Sequence, residues 1–172
     1  MAVFNYEIKD SIEADSKYAN GSLVSVDYTN QDVRNTGIEL SLNVAHDDNW
    51  SSRWGIMYNN PQTRAFDVYG NNDWHDYYNK LQLTGGVTYT KGKLMTSLDA
   101  NYVGKRTGNE ATSRKIKPQL FTDLHLSYTP EENHKVFFHL NNILDRQDIT
   151  SNGTTNYYSL GRNFILGYEY SF

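Results

Sequence analysis

Polar and apolar side chains alternate with a period of two through almost every segment of this chain that carries aliphatic or aromatic residues. The last segment shows it most cleanly. Phe164, Leu166, Tyr168, Tyr170 and Phe172 fall on one parity, and Asn163, Gly167, Glu169 and Ser171 on the other. Successive side chains of a strand point to opposite faces of its sheet, so this spacing makes one greasy and one polar face. The pattern recurs at Leu120, Leu124, Leu126, Tyr128; at Val136, Phe138, Leu140; and at Leu94, Leu98, Ala100, Tyr102. Further upstream it recurs at Leu81, Leu83, Val87, Tyr89; at Trp54, Ile56, Tyr58; at Ile38, Leu40, Leu42, Val44; and at Phe4, Tyr6, Ile8. No segment sustains a helical period. The spacing therefore predicts an all-β chain of about eight antiparallel strands in up-and-down order.

The connections alternate as well. Asp47-Asp48-Asn49, Lys91-Gly92-Lys93 and Pro130-Glu131-Glu132-Asn133 are short and polar, as tight hairpin turns are. Between them lie long polar stretches, roughly 10–34, 60–78, 104–118 and 146–157, read here as loops. Short turns on one edge and long loops on the other describe a transmembrane barrel with periplasmic turns and extracellular loops. No composition shift divides the chain, so residues 1–172 read as one domain.

Composition narrows the class further. With no Cys, the chain has no disulfide framework, thiolate metal site or Cys nucleophile. Its formal net charge of −4 lacks the basic footprint of a nucleic-acid binder. No run approaches the ~18 apolar residues of a spanning helix, and residues 1–7 show neither a basic n-region nor an apolar h-region. Mean hydropathy is only −0.71, but a barrel strand exposes just every second residue to lipid.

Alternation alone does not say which face meets solvent, since a lipocalin-like barrel turns its apolar face inward. Charge decides for the membrane orientation. The apolar parity carries none, whereas the opposite parity carries Glu7, Lys9, Glu39, Arg53, Asp99, Asp123 and Glu169. Aromatics such as Trp54, Tyr58, Tyr89, Tyr102, Tyr128, Tyr168 and Tyr170 gather at strand ends, where amphipathic rings form girdles. Alternation over about nine residues, tilted near 40°, covers the ~25 Å apolar band.

The run Leu140-Asn141-Asn142-Ile143-Leu144-Asp145-Arg146 resembles the Asn-Leu-Phe-Asp-Lys signature near the end of TonB-dependent outer-membrane receptors. As in that family, a loop and a last strand follow, from Tyr157 through Gly161, Arg162 and Asn163 to a terminal aromatic. Asn35-Thr36-Gly37-Ile38-Glu39-Leu40 is similar to its Gly-Val/Ile-Glu-Leu strand. Two positions depart: Leu144 stands where Phe is usual, and Asp148 where an aromatic usually follows. The resemblance implies a bacterial outer-membrane location and a 22-stranded barrel filled by an N-terminal plug. It also implies a TonB-contacting segment, a terminal Phe172 read as the assembly signal, and a scarce ligand, a ferric siderophore. The strands here look like the last eight of such a barrel, with Met1 inside a strand. The expectation is a C-terminal barrel portion, whose plug, remaining strands and TonB contact come from upstream sequence.

Candidate chemistry is sparse. Glu39, Asp99, Asp123, His125, His139 and Glu169 are expected to face the lumen as hydrogen-bonding groups, with a metal or proton-relay role for the two His as the competing reading. Trp74, His75 and Tyr77 lie in one predicted loop, and Lys105, Arg106 and Arg114, with Lys115 and Lys117, in another. Both groups are candidate ligand contacts, against ordinary solvated loop residues. Asp47-Asp48 and Glu131-Glu132 read as turn residues rather than an acid/base pair. Nothing has the order of a catalytic triad, a phosphate cradle or a metal-ligand set, so no enzyme, cofactor or metal is expected. Two other readings stand beside the receptor: a free-standing eight-stranded outer-membrane protein with adhesive or structural loops, and a soluble β-barrel binding a small apolar ligand.

Overall fold

The computed structural model describes residues 1–20, 22–65, 73–76, 79–109, 114–152 and 155–172. Among them the chain forms β1 (Ala2–Ala19), β2 (Ser22–Ala45), β3 (Trp50–Asn59), β4 (Gln62–Ala65), β5 (His75–Asp76), β6 (Leu81–Lys91) and β7 (Leu94–Val103). There follow β8 (Arg106–Asn109), β9 (Arg114–Ile116), β10 (Gln119–Glu131), β11 (His134–Asn141), β12 (Ile149–Asn152), β13 (Asn156–Tyr158) and β14 (Asn163–Tyr170), and no helix. The main sheet is antiparallel, in the order β14-β11-β10-β7-β6-β3-β2, with β1 also on β2 and β4 and β5 extending its upper part. β8–β9 and β12–β13 are separate hairpins. No pairing joins β1 to β14 among the described residues, so the sheet is open.

The register puts the apolar residues in line across the strands. Leu124 pairs with Leu98 on one side and Leu140 on the other. Leu140 pairs with Phe164, Val87 with Leu98, and Leu40 with Ile56. This face has nothing packed on it: Leu166 and Phe164 are each 70% exposed, and Leu42, Trp54, Ile56 and Leu98 are also exposed. Ile116 alone is a buried hydrophobic residue among the described ones. The enclosed apolar core that a soluble ligand-binding barrel requires is therefore not formed by these residues, and the open sheet is not a closed eight-stranded barrel. Rings mark the turn-side edge of the apolar face. Trp50 and Tyr89 lie 4.7 Å apart between centroids, and the Tyr168 hydroxyl is 2.6 Å from His134 Nδ1.

Two expectations are corrected. Phe4, Tyr6 and Ile8 pair with Gly37, Asn35 and Val33, on the face of Glu39 rather than that of Ile38, which Val3 faces instead. The pairing of β1 begins at Glu39, beyond Leu40 and Leu42, so the apolar band does not set its parity. Gly37 does: a Cβ there would come within 2.6 Å of the Phe4 ring, so the missing side chain makes the space that the ring occupies. Secondly, the polar stretch 10–34 is not a loop. After a bulge between Ile8 and Ser11, β1 and β2 pair as far as Ala19 and Ser22. Similarly, β4 keeps the register of β3 beyond Pro61, and β8–β9 and β12–β13 occupy much of the other long stretches.

The short turns behave as read. The Asp47 carboxylate accepts from the N–H groups of Asn49 (2.7 Å) and Trp50 (2.8 Å), closing the β2–β3 turn. The Asn49 N–H and then the Trp50 N–H hold its carboxyl below the ordinary aspartate value of 3.8. A depressed folded value means the bonds' contribution is complete above pH 3.8 and disappears as pH falls through the folded value. Protection of the Asn49 and Trp50 amides against hydrogen exchange, measured relative to an unstructured peptide at the same pH, should fall on acidification below that point. Asp47→Ala should show the lower protection at every pH above it; unchanged protection in that variant would refute the role.

Candidate functional site

The polar face carries a chain of side-chain contacts across adjacent strands. Register aligns Arg53, Gly86 and Asp99 on β3, β6 and β7. The Arg53 guanidinium crosses Gly86 to reach the Asp99 carboxylate at 2.7 Å. A Cβ at Gly86 would meet Arg53 Nε at 3.0 Å and collide with the Asp99 carboxylate, so the glycine provides the corridor for this ion pair. Ser97 Oγ donates to Asp99 at 3.2 Å, and His125 Nε2 stands 3.9 Å from the same carboxylate. His125 meets His139 edge-on at 4.5 Å, and Phe137 lies 5.1 Å from His139. Asp123 sits directly opposite Asp99, a like-charge pairing that destabilises a sheet unless each charge has its own donor. Each has one: Arg53 for Asp99, and the Asn142 N–H, at 2.8 Å, for Asp123.

Glu39, Asp99, Asp123, His125, His139 and Glu169 thus share one face, as the alternation predicts. Glu169 lies 3.3 Å from Lys135. The corridor has a simple test. Gly86→Ala and Arg53→Ala should each cost about 0.5–1 kcal/mol, the range of an exposed ion pair. Because both remove the same contact, the double variant should cost no more than either. Additive losses in denaturant unfolding would show that Gly86 does not serve the pair.

Trp74 is placed by the opposite face. Asp32 and Arg34 continue the Ile38 parity of β2 above the apolar band, and β4 brings Arg64 opposite Asp32 and Gln62 opposite Arg34. The Arg34 and Arg64 guanidiniums lie 4.0 Å and 4.7 Å from the Trp74 ring centroid, a cation–π arrangement. Arg64 also pairs with buried Asp32 at 2.6 Å, and Arg34 donates to Gln62 at 2.7 and 2.9 Å. The Arg64 hydrogen bond, followed by that of the Asp10 N–H, holds the Asp32 carboxyl below its ordinary range. The ring of Trp74 is thus packed against arginines of this chain, while His75 is exposed beside it. Tyr77 and the side chain of Arg114 lie outside the described residues. Phe172 is exposed beyond β14.

Arg106 has another role than a free loop cation. Its Nη2 donates to Gln119 Oε1 and to the Thr150 carbonyl, both at 2.9 Å, while Gln119 Nε2 donates to the Ile149 carbonyl at 2.7 Å. Burial pushes the Arg106 guanidinium below its ordinary value. These bonds dock the β8–β9 hairpin against β12, and Ile116, opposite Arg106, is buried with them. Lys105 remains exposed. Between the hairpins lies a cleft of about 300 Å³ lined by Lys115, Lys117, Gln147, Asp148, Ile149 and Tyr158, with Ile116.

Sequence reasoning missed Gln119 and Asn142. Gln119 is 2% exposed and bridges two hairpins. Asn142, 5% exposed, donates from Nδ2 to the carbonyls of Arg146 (2.7 Å) and Leu160 (2.8 Å), and its Oδ1 accepts from the Arg146 N–H (3.1 Å). Asn142 lay inside the run that carries the family resemblance, so that run was a signal for it; nothing local marked Gln119.

An open antiparallel wall with an uncovered apolar face, a polar face and long hairpins at one edge is a segment of a membrane β-barrel. Residues 1–143 match the family described as "TonB dependent receptor-like, beta-barrel", and the chain belongs to that family. Proteins of this family are outer-membrane transporters, not enzymes. No curated protein matches the chain. Among solved structures it is similar to the siderophore receptor PiuA from Acinetobacter baumannii, at 19% identity and TM-score 0.73, over 98% of this chain and 25% of that one. The ferric-catecholate import receptor Fiu from K12 E. coli matches at 17% identity and TM-score 0.71, over 99% of this chain and 24% of that one. The copper transporter OprC matches at 17% and 0.77, over 98% and 28%. The chain therefore spans about a quarter of the length of the structures it resembles.

Proposed function

We propose that residues 1–172 form, as one continuous unit, part of the barrel wall of an outer-membrane TonB-dependent receptor that imports a ferric siderophore. The observation that carries this is the uncovered apolar face, with Leu166 and Phe164 each 70% exposed, in a chain of this family that buries one hydrophobic residue, Ile116, among those described. Such a face is stable against hydrocarbon, and the Arg53–Asp99–His125–His139 face then lines the lumen. There it would meet the plug, which together with the TonB contact and the remaining strands belongs to the rest of the receptor. The β8–β9 and β12–β13 hairpins would then lie at the extracellular mouth, where ligand arrives. Siderophore is the reading for cargo because PiuA and Fiu, by their descriptions, handle siderophore or ferric catecholate.

Disrupting the coding region for this chain in its own bacterium tests the reading. Growth under iron limitation on one ferric siderophore as sole iron source should be lost, and the chain should fractionate with the outer membrane. Undiminished growth on every siderophore tried would overturn the cargo, and recovery in the soluble fraction would overturn the membrane placement.

A further inference from the structure

Two histidines of the polar face stand directly opposite one another. His125 on β10 pairs with His139 on β11, and their ring centroids lie 4.5 Å apart with the planes at 81°. Directly opposed residues have Cβ atoms ~4.5–5.5 Å apart, so both side chains reach one small ligand between them. The pair is made only by the β10–β11 register, and spacing along the chain does not announce it. Phe137 braces one side, its ring 5.1 Å from that of His139. On the other side the Asp99 carboxylate is 3.9 Å from His125 Nε2, and the His125 side chain remains 33% exposed. Arg53 and Asp99 neutralise one another. Asp123, on the same face of β10, is held by the neutral N–H of Asn142 and keeps its negative charge. The charge beside the imidazoles is therefore that of one carboxylate, which favours a cation.

We infer that His125 and His139 form a binding site for a divalent late transition-metal ion, Cu²⁺ or Ni²⁺. Metal–imidazole bonds of ~2.0–2.1 Å put each ring centroid about 3.2 Å from the ion. Two rings at right angles about a metal then have centroids about 4.5 Å apart, and at the tetrahedral angle about 5.2 Å. The observed 4.5 Å is the right-angled spacing, which suits the tetragonal preference of Cu²⁺ and Ni²⁺. Turning one ring about its Cβ–Cγ bond, a soft torsion, aims a nitrogen of each at the shared point. β7 and β11 flank β10 on opposite sides, so His125 Nε2 faces Asp99 and Nδ1 is left for the metal. Metal-bound histidines commonly donate the other ring N–H to a carboxylate, and Asp99 is placed to accept it. Among the described residues no group of three His or carboxylate side chains has ligand spacing, so the remaining positions fall to water. The site needs only the sheet register and goes beyond the receptor reading.

The test titrates the full chain, folded in detergent micelles, with Ni²⁺, Cu²⁺ and Mg²⁺. Calorimetry should show one Ni²⁺ site per chain and no Mg²⁺ binding, since imidazole suits the late transition metals and Mg²⁺ prefers oxygen. Electron paramagnetic resonance of the Cu²⁺-loaded chain should show two coordinated nitrogens. His125→Asn and His139→Asn should each weaken Ni²⁺ binding at least tenfold, because either one leaves a single imidazole. His139→Phe, which keeps a flat ring against Phe137, should do the same, while His75→Asn, at an exposed position of β5, should bind as the parent does. Asp99→Asn should retain the two-nitrogen spectrum and lose about tenfold in affinity, as outer-shell substitutions do. No Ni²⁺ binding, equal binding of Mg²⁺, a one-nitrogen spectrum, or affinity that survives substitution of either histidine would each overturn the site and leave the receptor reading intact.

Discussion

Asn142→Ala should destabilise the upper end of the wall by about 3–5 kcal/mol, more than any other single polar substitution proposed here. The residue sits at φ 53°, a left-handed conformation in which Asn is tolerated far better than Ala. The amide of this buried side chain meets three part-buried backbone groups at once: the carbonyls of Arg146 and Leu160 and the N–H of Arg146. Its own N–H goes to Asp123 on β10, and the next residue, Ile143, donates to the Thr122 carbonyl at 2.9 Å. One side chain thus ties the end of β11 to both the loop that follows and the approach to β14. Groups left unsatisfied in a buried site cost about 1–3 kcal/mol each.

Two further variants separate the backbone contribution from the side-chain one. Asn142→Gly keeps the left-handed conformation and loses only the amide bonds, so it should recover about 1 kcal/mol relative to Ala. Asn142→Asp keeps an acceptor for the Arg146 N–H but points a second oxygen at two carbonyls, and should be no better than Ala at neutral pH. Denaturant unfolding in micelles gives the energies, and hydrogen exchange at the Arg146 amide reports the local loss. An Asn142→Ala variant with wild-type unfolding and wild-type Arg146 protection would remove the residue from this role.

How much of this was legible in the sequence depends on what each residue faces. Leu120, Leu124, Leu126 and Tyr128 announce both strand and parity because their two sides meet unlike surroundings. The same logic fails where the surroundings are alike. Along 10–30 the described side chains of the β1–β2 hairpin are nearly all exposed on both faces, so pairing continues on backbone hydrogen bonds with no hydrophobic pattern to reveal it. Phe4, Tyr6 and Ile8 looked outward by their own spacing, but the space over Gly37 turned them inward.

The site divides along the same line. Glu39, Asp99, Asp123, His125, His139 and Glu169 could be placed on one face by parity alone. The corridor at Gly86 could not, because it depends on which glycine stands between Arg53 and Asp99 across three strands. Arg106 and Trp74 were visible as a cation and an aromatic in polar stretches, but their partners come from distant segments. Arg106 bonds to Gln119 and Thr150, and Trp74 packs on Arg34 and Arg64. Local composition carries no record of such contacts.

The orientation of the wall gives the other large effect. Leu124 lies among Leu98, Leu140 and Phe164 at the middle of the apolar face, and Leu166 is on the same face at the edge strand. An arginine at either position has to enter hydrocarbon if that face meets lipid, at a cost of about 2–4 kcal/mol near the bilayer midplane. Ser127 sits on β10 between Met95 and Phe137, on the opposite face. An arginine there extends into a polar lumen beside the His125 and His139 row and should cost about 1 kcal/mol or less, as most surface changes do. Folding each variant into lipid vesicles and measuring the protease-protected fraction should therefore give strong loss for Leu124→Arg and Leu166→Arg and near-normal yield for Ser127→Arg. The reverse order would mean that the apolar face looks inward. The exposed Leu166 and Phe164 would then need a partner other than lipid, and the lumen assigned to Arg53, Asp99 and the paired histidines would have to be an outer surface.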